Sequence, residues 1–312
     1  MDRRTVWALV LGAVVLVVAV FLMPLLGLTV LFRREIKDWM RGSAAPGEVV
    51  RLTYVCVDAA TIGPGAIDRD RRIMESRLAH DKGGCTVRLL DDDSVEIVVS
   101  GGPQAADEAM RLLGHAGRLE FRIVVNRQRD EGGPELDRLL DLRKAGESSD
   151  NPAYRWFVMK NGCARAKSGV LDQWGYVYWV DEESSTAEVL VRVDDGQNVT
   201  DRDLSRAVGD RVQGMPVVRF DMKEEATSRF QALTRPEMRD RHLAIILDRV
   251  VQTAPILKAT LSSSGVISGY DSDRETREVA KVLNSGSLTG RWKREENPPA
   301  SGVGAAEDLP AP

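Results

Sequence analysis

The chain of 312 residues carries 43 Lys and Arg against 47 Asp and Glu, a net charge of -4, and has three cysteines. Without a basic footprint, nucleic acid is excluded as an expected partner. Cys56, Cys85 and Cys163 lack the paired spacing of a zinc site; they read as small buried apolar residues, with a Cys56 to Cys85 disulfide left open in an oxidising compartment.

Residues 1–4 form a short arm. Thr5 to Phe32 is a run of twenty-eight residues without a charge, and roughly 20 apolar residues cross a bilayer. An uncleaved transmembrane helix over 5–32 is expected rather than a signal peptide, because the run exceeds an h-region and the small-residue stretch RGSAAPG lies well beyond it. Pro24 is tolerated in such a helix. Arg3 and Arg4 face Arg33, Arg34, Lys37 and Arg41 across the span, so charge does not decide the orientation. Residues 33–48 read as a linker.

Over 49–126 the pattern predicts β-α-β-β-α-β, a ferredoxin-like order. VVRLTYVCV has strand composition. Ile67, Met74 and Leu78 share a helical face. Val87 and Leu89, then Val95, Ile97 and Val99, alternate about a polar DDDS turn. A second helix starts at Pro103 and stops at Gly114. RLEFRIVV, with Leu119, Phe121 and Ile123 alternating against Glu120 and Arg122, is expected to close the unit.

Residues 127–186 read as a surface insertion with one short helix, Glu135 to Lys144, and an aromatic cluster. If WGYVYWV is a strand, Trp174, Tyr176 and Tyr178 line one face. That face is either a platform for extended peptide or a core surface packed by a neighbouring helix.

A second α+β unit is expected over 187–292. Thr200/Asp203, Asp221/Glu224 and Ser272/Glu275 repeat a helix-start spacing, which predicts three helices. The inner stripes of the second and third are Ala226, Phe230, Leu233 and Val279, Ala280, Leu283, with Gly286 as a stop. In HLAIILDRVVQTAPILKATLSSSGVISGY, Leu243, Ile245 and Leu247 oppose Ala244 and Ile246, so the first strand is expected to be buried on both faces. Asp248 is expected to bond nearby turn amides. Pro255 places the following strand at an edge or a bulge, and an edge accepts an extended partner. Residues 293–312 read as a disordered tail.

No catalytic arrangement is expected. His80, His115 and His242 are scattered without ligand spacing, and neither a nucleophile elbow nor a phosphate loop occurs. The run Asp91 to Asp93 reads as a solvated turn rather than a cation site, and Asn198-Val-Thr200 as a chance glycosylation match whose Thr200 serves as a cap.

The segments DRDLSRAV, PVVRFDMKEEATSRFQALT, the long stretch from His242 to Tyr270 and the acid-capped helix ending VLNSGSLTG resemble, in that order, the extracytoplasmic P1 region of the SecD family of protein-export membrane proteins. AGRLEFRIV extends the resemblance toward the first block. Arg249 replaces a usual turn glycine, Glu225 a glycine at the helix start, and Leu288-Thr289 a Leu-Pro pair. The Asp-Leu-x-Gly-Gly signature after the first transmembrane helix is not recognisable, and the C-terminal transmembrane half is expected to be lacking.

The resemblance implies a ferredoxin-like P1 base over 49–126, a P1 head over 187–292, and a hinge near Asn126 and Thr186. It also implies a single-pass protein of the inner cell membrane, N-terminus cytoplasmic and bulk periplasmic, with no cofactor, metal or catalytic residue. Its partners would be unfolded secretory preprotein, the Sec translocon, and SecF or full-length SecD. Expected preprotein contacts are Trp174, Tyr176, Tyr178 and Lys258, and the structural head motif is Asp248, Ala254, Pro255, Gly265, Gly269 and Gly286. The expected role is a non-enzymatic accessory of Sec-dependent export; the alternative is a degenerate SecD paralogue acting as an envelope scaffold.

Overall fold

A computed structural model describes residues 49–79, 84–130, 133–147 and 151–295. The expected arm, transmembrane helix, linker, tail from residue 296 and His80 lie outside these residues. Among the described residues no helix is long and apolar enough to cross a membrane. The first unit starts with β1 (Val49–Cys56), α1 (Pro64–Leu78), β2 (Cys85–Asp91), β3 (Ser94–Ser100) and α2 (Gly102–Leu113). β3 pairs antiparallel with both β1 and β2. The alternation in their sequences turns Leu52, Tyr54, Val87, Val95, Ile97 and Val99 to one face, where Met74 and Leu78 of α1 and Ala109 and Leu112 of α2 cover them.

The expected closing strand is elsewhere. β4 (Leu119–Val124) leaves this unit and pairs with β10 (Leu243–Leu247), while β13 (Trp292–Arg294) takes the place beside β1. The sheet order is β13-β1-β3-β2. The cause is the burial demand of β4, whose Leu119, Phe121 and Ile123 enter one core while Val124 enters another. At a sheet edge with one solvated face β4 could bury only one side, whereas Arg122 and Val124 on its other side are buried as well. Cys85 and Val50 both lie opposite Val99, six residues along β1 from Cys56, which excludes the Cys56 to Cys85 disulfide, and neither cysteine is disulfide-bonded.

Residues 127–186 are built into the second sheet rather than standing as an insertion. They supply α3 (Gly133–Lys144), β5 (Tyr154–Met159), the short α4 (Gly162–Lys167) and α5 (Val170–Gln173), and β6 (Tyr178–Asp181), followed by β7 (Thr186–Arg192). With β11 (Val250–Thr253), the strand order is β4-β10-β11-β5-β7-β6, and a further β4 to β7 pairing closes the ring. β5 is drawn in because Phe157 and Met159 fill the interior, while Tyr154 and Trp156 pack toward Leu136 and Leu139 of α3. Asn126 bridges Tyr176 and Thr186 begins β7, so a hinge at those two points would tear one sheet.

β10 is buried along its whole length, with Leu243, Ile245 and Leu247 in one core and Ala244 and Ile246 in the other, as its sequence predicts. The first of these cores is shared with β8 (Leu204–Val212), β9 (Met215–Met222), α6 (Glu224–Leu233) and α7 (Asp273–Ser285). At its centre the rings of Phe121, Phe220 and Phe230 meet with centroids 5.2 to 6.1 Å apart. β12 (Ser264–Ile267), β9 and β8 form a separate sheet in that order.

Two of the three expected helices form. α7 is capped by Ser272, whose Oγ accepts the Glu275 N–H at 3.2 Å, and both α6 and α7 bury the predicted stripes. Asp221 stays in β9, and α6 instead starts after Lys223. The third expectation fails: Thr200 donates its N–H to Asp203 Oδ2 at 2.9 Å, but only one 3-10 turn follows before β8 begins. A bulge between Leu204 and Arg206 places Leu204 and Ala207, three residues apart, in the same core, so a kinked strand imitates helical spacing.

Candidate functional site

The aromatic stretch is not one strand. Trp174 terminates α5, Gly175 takes φ 68° and Tyr176 makes a single bridge before β6 begins at Tyr178. Tyr176 is only 5% exposed and packs in the ring interior, with Trp174 and Tyr178 half-buried against that core. A side chain so enclosed presents no face to a passing chain, which removes Tyr176 from the expected contacts. Lys258 is exposed and bonds Asp240 at 3.0 Å.

The same cluster holds a buried histidine. His242 lies tilted against Trp174 and edge-on to Tyr176, each centroid 5.0 Å away, and neither its Nε2 nor the Tyr176 hydroxyl has a hydrogen-bond partner among the described residues. Burial, reinforced by Arg129, Lys258 and Arg241, pulls the His242 pKa down from 6.5 to about 4. The unfolded chain therefore binds a proton that the folded chain refuses. Stability from this group is fully present above pH 6.5 and falls as pH drops toward 4. The expected loss is on the order of 2 kcal/mol, and His242→Phe should flatten that slope in denaturation curves recorded across the window.

The head-motif residues have separable jobs. Asp248 (φ 51°) and Arg249 (φ 69°) form the left-handed tip between β10 and β11. Arg249 is exposed, and a left-handed non-glycine residue costs roughly 1–2 kcal/mol, so Arg249→Gly is expected to raise the unfolding free energy by about 1 kcal/mol in a denaturant titration. Asp248 reaches beyond its own turn: its N–H donates to Arg118 O and its Oδ1 accepts the Arg118 N–H, both at 2.9 Å, while Oδ2 lies 3.3 Å from His115 Nδ1. The carboxylate thus stitches the hairpin to the connection between α2 and β4.

Ala254 is buried in the ring core, and the Pro255 carbonyl accepts the Leu243 N–H at 3.0 Å. Pro255 lies past the end of β11, which sits between β10 and β5, so the strand is not an edge; the β10–β11 register does shift between Ile245 and Ile246, opposite Thr253 and Val251. Gly265 belongs to β12, where an added Cβ would stand 2.6 Å from the Phe220 ring. Gly269 and Gly286 take φ 95° and 90°, the latter ending α7.

The most constrained polar groups lie on α1 and were not singled out from the sequence. Arg77 is 1% exposed, and its guanidinium donates to the carbonyls of Leu112 (3.3 Å), His115 and Ala116 (2.9 Å) at the end of α2, and to Gly286 O (2.8 Å) and Ser285 Oγ (2.9 Å) at the end of α7. Burial lowers its pKa to about 10, against the pull of Asp248, Asp70 and Asp201, so it stays a cation at neutral pH. Two turns earlier, buried Asp70 accepts the N–H groups of Thr289 and Gly290, each at 2.8 Å, and Trp292 Nε1 at 2.9 Å. Their signal is legible only afterwards: Asp70 and Arg77 fall within the stripe Ile67, Met74, Leu78, where an inward charge demands partners.

Beside this clamp, Arg118, Asp201, Asp203, Arg229 and Thr289 line a cavity of about 530 Å³. Burial pushes the Asp201 carboxyl up, opposed by bonds from Ser287 and the Leu119 N–H. Arg229 pairs with Asp203, and Arg118 donates to the carbonyls of Leu288 and Thr289, so both cations are bonded within the protein. Among the described residues no group of three or more His, Cys, Asp or Glu is placed to hold a metal ion.

Comparison with known proteins covers both units. Residues 178–290 match the family model of the SecDF P1 head subdomain. Protein translocase subunit SecD of Anaeromyxobacter dehalogenans is 36% identical across 81% of this chain and 50% of its own length. SecD of Syntrophobacter fumaroxidans is 32% identical across 80% of this chain and 42% of its own. The chain thus spans half or less of the length of these curated relatives. A solved structure described as a membrane component SecDF that enhances protein export superposes with a TM-score of 0.52 at 22% identity, covering 80% of this chain and 100% of that one. A shared mixed α+β fold, a matched head subdomain and similarity running through the first unit as well identify the chain as a member of the SecD family, with its described residues forming a P1 region.

Proposed function

We propose that this chain is a non-enzymatic accessory component of Sec-dependent protein export that binds translocating preprotein outside the membrane. Residues 5–32 would tether it in the inner cell membrane, N-terminus cytoplasmic and bulk periplasmic, beside the Sec translocon and SecF or full-length SecD. The first unit, with β13, would be a ferredoxin-like base, and the remainder a head with a ring-shaped sheet beneath it. The observation that carries the reading is that similarity to a SecD relative extends over 81% of the chain rather than stopping at the head. A paralogue retained only as a scaffold need not keep both units joined in that way.

A photoreactive residue at Lys258 in living cells tests this, since that side chain is 72% exposed. Short-lived adducts with many secretory chains, lost when export is blocked upstream, are expected. Adducts with one fixed envelope protein and no secretory chain would favour the scaffold reading.

A further inference from the structure

Sheet edges are where a polypeptide of arbitrary sequence finds partners, because main-chain groups are common to all sequences. The described edges differ in how they are protected. β8 is blocked: Asn284 of α7 donates Nδ2 to Ala207 O at 2.8 Å and accepts the Ala207 N–H at 2.7 Å. β13 carries Lys293 and Arg294, β2 carries Arg88 and Asp91, and β6 ends in Asp181 followed by Glu182 and Glu183. Charges of this kind are the usual guards against edge pairing.

β12 has no such guard. It is the outer strand of the sheet β12-β9-β8, and residues 259–270 contain neither a charge nor a proline. The Met222 N–H donates to Ser263 O at 2.7 Å, which fixes the hydrogen-bonding phase with β9. By alternation, Gly265 and Ile267 bond to β9, while Ser264 and Val266 direct their N–H and C=O groups outward. Both residues are exposed, Val266 by 40%. Gly265 lets the Phe220 ring lie against β12 from the core side, so the strand is held extended while its outer edge stays open.

We propose that the free edge of β12, through the main-chain groups of Ser264 and Val266, is the seat on which an extended segment of an unfolded polypeptide adds as a further strand. This deepens the preprotein-binding reading and rests on it. Recognition through backbone groups tolerates any side chain without proline in the paired register, which suits a partner defined by being unfolded rather than by sequence.

The test uses the full chain in lipid nanodiscs and a fluorescent extended peptide of alternating Val and Thr. Two further copies of the peptide are N-methylated on alternate amides, in opposite phases. One phase should weaken binding by about tenfold or more and the other should be tolerated, since only one set of amides meets the edge. Val266→Pro removes an outward N–H and leaves the bonds to β9 in place; it should weaken the unmethylated peptide by about tenfold with the circular dichroism spectrum unchanged. Equal binding of both methylated peptides, or full binding by the proline variant, would overturn the edge proposal and leave the functional reading standing. Wild-type dimers that the proline variant abolishes, with no peptide bound, would assign the edge to a second copy and overturn it too. Failure of every peptide and of an unfolded secretory protein to bind would remove both.

Discussion

Replacing Arg77 by alanine is expected to lower the unfolding free energy by about 3–5 kcal/mol, the cost of breaking a buried, fully bonded charge site. The guanidinium caps the C-terminal ends of α2 and α7 together, where unpaired carbonyls and the negative ends of two helix dipoles converge. Removing it takes a donor from each of those carbonyls, leaving Ala116 O with the Leu288 N–H, and opens a cavity beside Val282. Arg77→Lys should recover less than half of the loss, because an ammonium has three donors and lacks the planar fork. Gly117 belongs to the same device, since a Cβ there would stand 2.7 Å from Arg77 Nη2 at a backbone φ of 84°. Urea titrations of the purified chain measure all of these; an alanine variant within about 1 kcal/mol of wild type would remove Arg77 from the account.

Asp70→Asn should be the second most damaging change, at about 2–3 kcal/mol. Its carboxylate accepts from Thr289, Gly290 and Trp292, and an amide can offer only one oxygen while turning an NH₂ toward the remaining donors. The damage should be local as well as global. The chain returning from α7 loses its anchor, so β13 should fray from β1, seen as faster hydrogen exchange at Thr289, Gly290 and the Trp292 indole before the rest of the sheet. Asp68→Asn, on the exposed side of the same helix and bonded to Arg71 and Arg72, should change stability by less than about 0.5 kcal/mol. Uniform exchange across β1, β3 and β13 in Asp70→Asn would contradict a local anchor.

What was legible in the sequence was local. Ser272 with Glu275, and the stripes of α6 and α7, specify helices through contacts within a few residues, and the pattern of β10 already states that it has two apolar faces. What was hidden depends on partners far along the chain. Nothing within RLEFRIVV says that β10 rather than β1 is its neighbour; the clue was Val124, apolar on the face opposite Phe121. The bulge at Leu204 changed a period of two into an apparent period of three. The aromatic stretch misled because a left-handed Gly175 interrupts its alternation. Arg77 and Asp70 looked like ordinary surface charges, since a single sequence does not show that two helix ends and a returning loop converge on them.

The proposed role requires this P1 region to grip chains because they are unfolded. The most direct measurement is a titration of the full chain in nanodiscs with one secretory protein, presented first in a form held unfolded and then in its native fold. Saturable binding of the unfolded form, with none of the folded form, is the result expected here. Equal affinity for both forms, or binding of neither, would contradict it.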